Sequence, residues 1–227
     1  MGRRPAAKLA LACDRIDDLM KRDHLFKLFH EAHRITGHKD YVVVGSLSIL
    51  GTEDEDGLPA EMSMSNDIDS YTKADPGRIN DVSAALGEGS EFHKENGYYL
   101  DPVSPNLPTL PDGWQNRMTS MSRGNVNLWF LDPDDAAMSK YARSQPNDLR
   151  WIRAGILCGL ISLPKIKHRL ASTTFLNRDE ELRVRTQVDS TLAWFEIVKN
   201  SRNQSLDLPE IQAGPRQANN PAFKRVP

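Results

Sequence analysis

Residues 41–71 constrain the fold of this chain more tightly than any other stretch. They open on the apolar run Tyr41-Val42-Val43-Val44, which turns on Gly45-Ser46. An acidic loop follows, and the stretch closes on Asn66-Asp67-Ile68-Asp69-Ser70-Tyr71. A β-branched run ending in Gly-Ser predicts a buried strand feeding a helix N-terminus. Two aspartates alternating with an isoleucine predict a second strand, with both carboxylates on one face and Ile68 on the other. Gly45 lets the chain turn tightly against a ligand, and Ser46 offers its hydroxyl and the helix amides to a phosphate. Asp67 and Asp69 on one face repel each other unless a hard divalent cation bridges them, and Mg²⁺ takes such oxygens together with those of phosphate. Each half alone also fits an ordinary turn or an edge strand. In combination they are far more specific.

The 227 residues suffice for one good-sized domain, or one plus a small helical annex. A formal net charge of -2 gives no global reason for nucleic-acid or membrane binding, although a local basic face is compatible with it. Cys13 and Cys158 are far apart and belong to no C-x-x-C, which excludes a disulfide scaffold or zinc ribbon and suits a reducing cytoplasm. The apolar run over residues 154–164 is too short to cross a bilayer, which takes about 20 residues. The N-terminus lacks an apolar signal core, so a cytoplasmic location is expected.

Residues 1–12 read as a frayed arm, and residues 14–36 as an amphipathic helix stopped by Gly37. His30-Glu31-Ala32-His33 lies on that helix, but its histidines are three apart where a zinc-protease helix needs four. A strand over 40–44, a short helix over 46–50 and a charged loop over 52–59 come next. After the strand over 67–71, Asp75-Pro76-Gly77 starts a helix running to Leu86, and residues 91–96 add a turn. Residues 98–100 read as a short strand, 101–112 as a Pro-rich connector, and 115–121 and 125–131 as two further strands. Asp132 then caps a helix with Pro133 at its first position, and this helix carries Lys140 and Arg143. Pro146-Asn147-Asp148 ends it and caps another helix over 149–160. A short helix from Pro164 to Leu170, a long one over 177–199 and a loosely ordered tail complete the chain. This order predicts an α+β fold with a mixed sheet flanked by helices. The expected division is a core over 1–131, a helical annex over 132–200 and a tail over 201–227.

A strand, a Gly-Ser turn and a later Asp-x-Asp strand resemble the nucleotidyltransferase superfamily of the DNA polymerase β type. Three further pieces resemble one bacterial branch of it, the DUF6036 family. They are Leu110-Pro111-Asp112-Gly113-Trp114-Gln115-Asn116-Arg117, Leu131-Asp132-Pro133-Asp134-Asp135 leading to Lys140, and Asn147-Asp148. A helical lysine followed by an aspartate is similar, more distantly, to nucleotidyltransferase toxins of the AbiEii and MenT kind. The resemblance implies that Asp67 and Asp69 hold Mg²⁺, that Gly45, Ser46, Lys140 and Arg143 hold the triphosphate of an NTP, and that Asp148 is a further catalytic carboxylate. The superfamily places a third acid on a later strand, whereas the strand around Asn125 and Asn127 offers asparagines. Either Asp148 takes that role, or the site binds nucleotide without transferring it.

The expected activity is therefore Mg²⁺-dependent transfer of a nucleoside monophosphate from an NTP to a hydroxyl on RNA (such as tRNA), a protein or a small molecule. The toxin resemblance implies a toxin–antitoxin or phage-defence setting, with a partner protein from the same operon and no membrane. The alternatives are a catalytically degenerate nucleotide-binding module and a partner-docking protein built on the long first and last helices.

Overall fold

Five strands form the central sheet: β1 (Asp40–Val43), β2 (Asp67–Thr72), β3 (Tyr99–Pro102), β4 (Thr119–Arg123) and β5 (Val126–Phe130). The computed structural model describes residues 19–52 and 55–206, and the strands lie side by side as β3-β2-β1-β5-β4. The sheet is mixed, as the α+β expectation requires: β1 is antiparallel to β2 and parallel to β5, while β2 is parallel to β3 and β4 antiparallel to β5. The arm over 1–12, the predicted helix start at 14–18, Glu53 and Asp54, and the tail beyond 206 lie outside the described residues.

Side-chain alternation divides the sheet into two faces. Tyr41, Val43, Ile68, Leu100, Leu128 and Phe130 are buried on one of them. There they meet α1 (Arg22–Thr36), whose Leu25, Leu28 and Phe29 are fully buried, with the Phe29 and Tyr41 rings 4.9 Å apart. The same parity turns Asp67, Asp69 and Asp101 to the opposite face. The remaining helices are α2 (Ala60–Ser63), α3 (Ser83–Leu86), α4 (Glu91–Asn96), α5 (Pro133–Arg143), α6 (Pro146–Leu157), α7 (Leu163–Leu170) and α8 (Arg178–Leu206). The protein divides into two units at Thr191 and Leu192, and the described part of the second is the end of α8. Among the described residues no helix is long and apolar enough to cross a membrane.

Several boundaries differ from the sequence reading. The first helix starts at Arg22, because the N–H of buried Met20 leaves the helical path to donate to the Ser63 carbonyl at 2.9 Å. Residues 76–82 form a 3₁₀ helix that becomes α-helical only at Ser83. The strand predicted over 115–121 begins at Thr119, since residues 114–117 curl into a 3₁₀ turn whose Arg117 reaches Asp135 and the Asp112 carbonyl. Gln145 caps α6, so that helix begins at Pro146 and holds Asp148 inside its first turn. The last helix continues to Leu206, past residue 199, as no Pro or Gly interrupts it there.

An ion network fastens the start of α5. Asp132 caps the helix through the Asp134 amide at 2.9 Å. Asp135, which has no exposed surface, accepts from Arg117 at 2.8 and 3.0 Å and from Arg169 at 3.0 Å. Arg169 of α7 also pairs with Asp132, while Asp134 accepts from the Ser162 amide at 2.7 Å and faces Lys165 at 3.4 Å. Removing one partner of a buried pair strands the other charge. Arg169→Ala is therefore expected to cost roughly 3–5 kcal/mol of stability in urea unfolding. Lys165→Ala, at a largely exposed partner, should cost below about 1 kcal/mol. Equal losses for the two variants would show that the network is not buried.

Candidate active site

The turn after β1 is shaped by its neighbour on β2. Val44 N donates to the Asp69 carbonyl at 2.9 Å, and Gly45 follows with φ 67° and ψ -151°. A Cβ on Gly45 would lie 2.0 Å from Asp69 Oδ2, so only glycine satisfies both the backbone and the space. Ser46 opens a 3₁₀ turn, Ser46–Gly51, anchored by buried Leu47, Ile49 and Leu50. Its Oγ accepts a hydrogen bond from Lys140 Nζ at 2.8 Å.

Beside this turn stand three carboxylates. Parallel pairing sets Asp69 of β2 opposite Asp101 of β3, and Asp67 lies two residues earlier on the same face. One oxygen from each falls within 4.8 Å of the others. The strand over 125–131 carries no acid, as expected, and the third carboxylate beside Asp67 and Asp69 comes from β3. The strand over 125–131 pairs with β1 rather than β2, and its Asn127 donates to Asp40 at 3.0 Å. The third carboxylate of the cluster, Asp101, stands on β3, one residue beyond the predicted end of that strand. Its signal was legible: Tyr99-Leu100-Asp101 repeats the alternation of Asp67-Ile68-Asp69.

Burial, followed by the charges of Asp67 and Asp101, pushes the Asp69 carboxyl from its ordinary 3.8 up to about 7, with Arg143 and Lys140 opposing. Asp101 is raised by burial and by Asp67 and Glu88. Ser65 Oγ donates to Asp67. An oxygen-only set of crowded carboxylates fits a hard divalent cation such as Mg²⁺, whose charge relieves their repulsion.

A basic group faces these acids from α5 and α6. Lys140 is 3% exposed; burial lowers its pKa, and the Asp148 charge opposes that fall. Asp148 accepts from Lys140 Nζ at 3.2 Å, from Arg143 Nη2 and Nε at 2.6 and 2.9 Å, and from the Gln145 amide at 3.1 Å. Burial pushes Asp148 upward, but the Arg143 hydrogen bond and Lys140 charge outweigh it and hold its carboxyl below the ordinary range. The hydrogen bond to Asp148 raises Arg143. Lys140 also sits 4.8 Å from the ring centroid of Trp151, whose Nε1 donates to Met62 O at 3.2 Å.

The residues singled out from the sequence thus converge. Ser46, Asp67, Asp69, Lys140, Arg143 and Asp148 line one polar cleft of about 700 Å³. Gly45 lines an adjoining apolar recess that shares Asp69, Lys140 and Arg143 with it. Asp148 stands apart from the carboxylate cluster in role, because its oxygens are taken up by Lys140, Arg143 and an amide. Asp101 is the residue that sequence reasoning missed.

A mixed sheet with a Gly-Ser turn beside carboxylates on two adjacent strands has the architecture of an α+β nucleotidyltransferase. The chain belongs to the DUF6036 family, nucleotidyltransferases of unknown function, whose profile matches residues 23–202. No curated protein and no solved structure gives a significant match.

Folding raises the Asp69 carboxyl, so its stabilising contribution is complete below its ordinary value of 3.8 and is lost as pH rises through about 7. A cation that binds the ionised carboxylate acts in the opposite sense. The rise in Tm produced by Mg²⁺ should therefore be small near about pH 5.5 and grow toward about pH 8, as followed by scanning calorimetry. Asp69→Asn is expected to abolish the rise, and a pH-independent rise in the unaltered protein would contradict the assignment.

Proposed function

We propose that this protein is a Mg²⁺-dependent nucleotidyltransferase that moves a nucleoside monophosphate from an NTP to an acceptor hydroxyl. The observation carrying this reading is the β2–β3 register, which brings Asp101 to Asp67 and Asp69 beside the Ser46–Lys140 pair. Asp67, Asp69 and Asp101 would hold Mg²⁺, which neutralises charge on the transferring phosphate.

The remaining work falls to the chain's own groups. Ser46 Oγ and Lys140 Nζ bind the β- and γ-phosphate oxygens, and the half-exposed Arg143 guanidinium adds a second cation. Asp148 is a positioning residue: it holds Lys140 and Arg143 in one orientation and keeps both charged. A carboxylate oxygen of Asp101 accepts the proton of the attacking hydroxyl. The new oxygen–phosphorus bond forms at the α-phosphate, the bond to the bridging oxygen breaks, and pyrophosphate leaves. Asp101 supports transfer over binding alone, because it supplies the acid whose apparent lack suggested a degenerate module. The toxin resemblance favours RNA, such as tRNA, or a protein as acceptor, with a partner protein encoded nearby.

Incubation with each α-labelled NTP, Mg²⁺ and a pool of total RNA and lysate protein should label a discrete acceptor. Asp67→Ala and Asp101→Asn should each lower labelling by at least about 10³-fold, and Lys140→Met by about 10²-fold, with circular dichroism unchanged. An intact protein that labels nothing with any NTP would remove the transfer reading.

A further inference from the structure

The cleft has two lobes of opposite chemistry. Asp69, Lys140 and Arg143 line both a polar lobe of about 700 Å³ and an apolar lobe of about 290 Å³. Ser46, Asp67 and Arg150 belong to the polar lobe alone. The apolar lobe is walled by Val44 and Val103 at the sheet, Ala136 and Ala142 of α5, and Leu107 and Pro108 of the connector. It carries a single charge of its own, Glu180 at the start of α8.

An NTP divides in the same way. Its triphosphate is a strong anion, its base presents apolar faces, and the two halves meet at the α-phosphate. Asp69 is the one carboxylate of the cluster that lines both lobes. A nucleotide with its α-phosphate beside Asp69 and its outer phosphates on Ser46 and Lys140 therefore extends its nucleoside into the apolar lobe. That lobe has about the volume of the smallest ligand sites, which suits a nucleoside and is too small for a folded acceptor.

We propose that the apolar lobe is the nucleoside subsite, in which Leu107 and Pro108 cover one face of the base and Glu180 accepts a hydrogen bond from its exocyclic amino group. This deepens the nucleotidyltransferase reading above and rests on it. Leu107 is a large apolar side chain left 69% exposed at the rim, and a bound base gives it a partner. Glu180 Oε2 accepts from the Leu176 amide at 2.7 Å, which fixes the carboxylate in place. A carboxylate can only accept, so it favours adenine, cytosine and guanine, which present an amino group. Uracil presents only an N–H flanked by two carbonyl oxygens, and those repel it.

Calorimetry on the full chain with Mg²⁺ separates the halves of the ligand, using inorganic tripolyphosphate and the four NTPs as probes. Tripolyphosphate is expected to bind, and ATP, CTP and GTP to bind about tenfold tighter or more, with UTP behind them. Ser139→Phe, which fills the lobe from α5, and Leu107→Ser, on the exposed connector, should each weaken NTP binding about tenfold and leave tripolyphosphate unchanged. Glu180→Ala, which removes the acceptor, should bring ATP, CTP and GTP down to UTP. NTP affinities that survive both Ser139→Phe and Leu107→Ser would overturn the subsite; should the former fail to fold, the surface variant decides alone. Failure of the unaltered protein to bind either tripolyphosphate or any NTP would instead strike at the nucleotidyltransferase reading itself.

Discussion

Lys140 buries an ammonium where α5, α6 and the Gly-Ser turn meet, and the arrangement around it is a response to that charge. Withdrawing an ammonium from water costs several kcal/mol unless its protons are taken up. Here Asp148 answers the charge, Ser46 Oγ accepts a hydrogen bond, and the Trp151 ring lies within cation–π range. These partners come from two segments, α6 and the Gly-Ser turn, and Ser46 lies 94 residues before Lys140 in sequence, so the charge fixes their mutual geometry more firmly than apolar packing alone. Asp148 is held in turn by the bidentate Arg143 contact and the Gln145 amide. Ser46 is thereby presented to the cleft in one orientation.

Two acidic clusters in this protein have opposite states, and the comparison separates structure from function. At the start of α5, Asp132, Asp134 and Asp135 meet Arg117, Lys165 and Arg169 at close range. Those charges hold the helix layer together and are satisfied by it. Asp67, Asp69 and Asp101 offer oxygens within 4.8 Å of one another and form no salt bridge with a cation among the described residues, and burial followed by the charges of Asp67 and Asp101 pushes the Asp69 carboxyl up to about 7. Perturbation by burial and like charge within a cleft is the pattern of groups arranged for an external ligand. The positive charge this cluster lacks is what a divalent cation brings.

Much of this site could be read from local pattern. A β-branched run ending in Gly-Ser marked the turn, the alternation of Asp67-Ile68-Asp69 placed both acids on one face, and helical spacing put Lys140 and Arg143 one turn apart. Each of those inferences needs only the period of one element. Asp101 was missed because its membership depends on which strands are neighbours, and pairing is set by the whole sheet. A strand ended at Leu100 rather than Pro102 leaves Asp101 in the connector, and β5, the strand with asparagines, lies on the far side of β1 from β2. The start of α1 failed for the same reason. The apolar spacing at Leu19 and Met20 continues the helix on paper, but a tertiary hydrogen bond to Ser63 ends it.

Among the described residues no hydrogen bond or ion pair joins the segment Leu110–Arg117, one of those carrying the family resemblance, to Asp67, Asp69, Asp101 or Lys140, and its contacts are structural. Arg117 donates to the Asp112 and Pro111 carbonyls and to both oxygens of Asp135, tying the end of the connector to the start of α5. Arg169 clamps Asp135 from the other side, and the Asp112 amide donates to Ser172 O just after α7. The stretch immediately before this anchor, Leu107 to Thr109, walls the apolar lobe. In the binding mode proposed above, helix α5 would serve both ends of a nucleotide: its acidic start holds the connector that bounds the apolar lobe, and its basic end presents Lys140 and Arg143 to the polar lobe. A wall made of proline-rich loop would be loose by itself; pinned to a helix whose far end is locked by Asp148, it keeps its distance from Asp69.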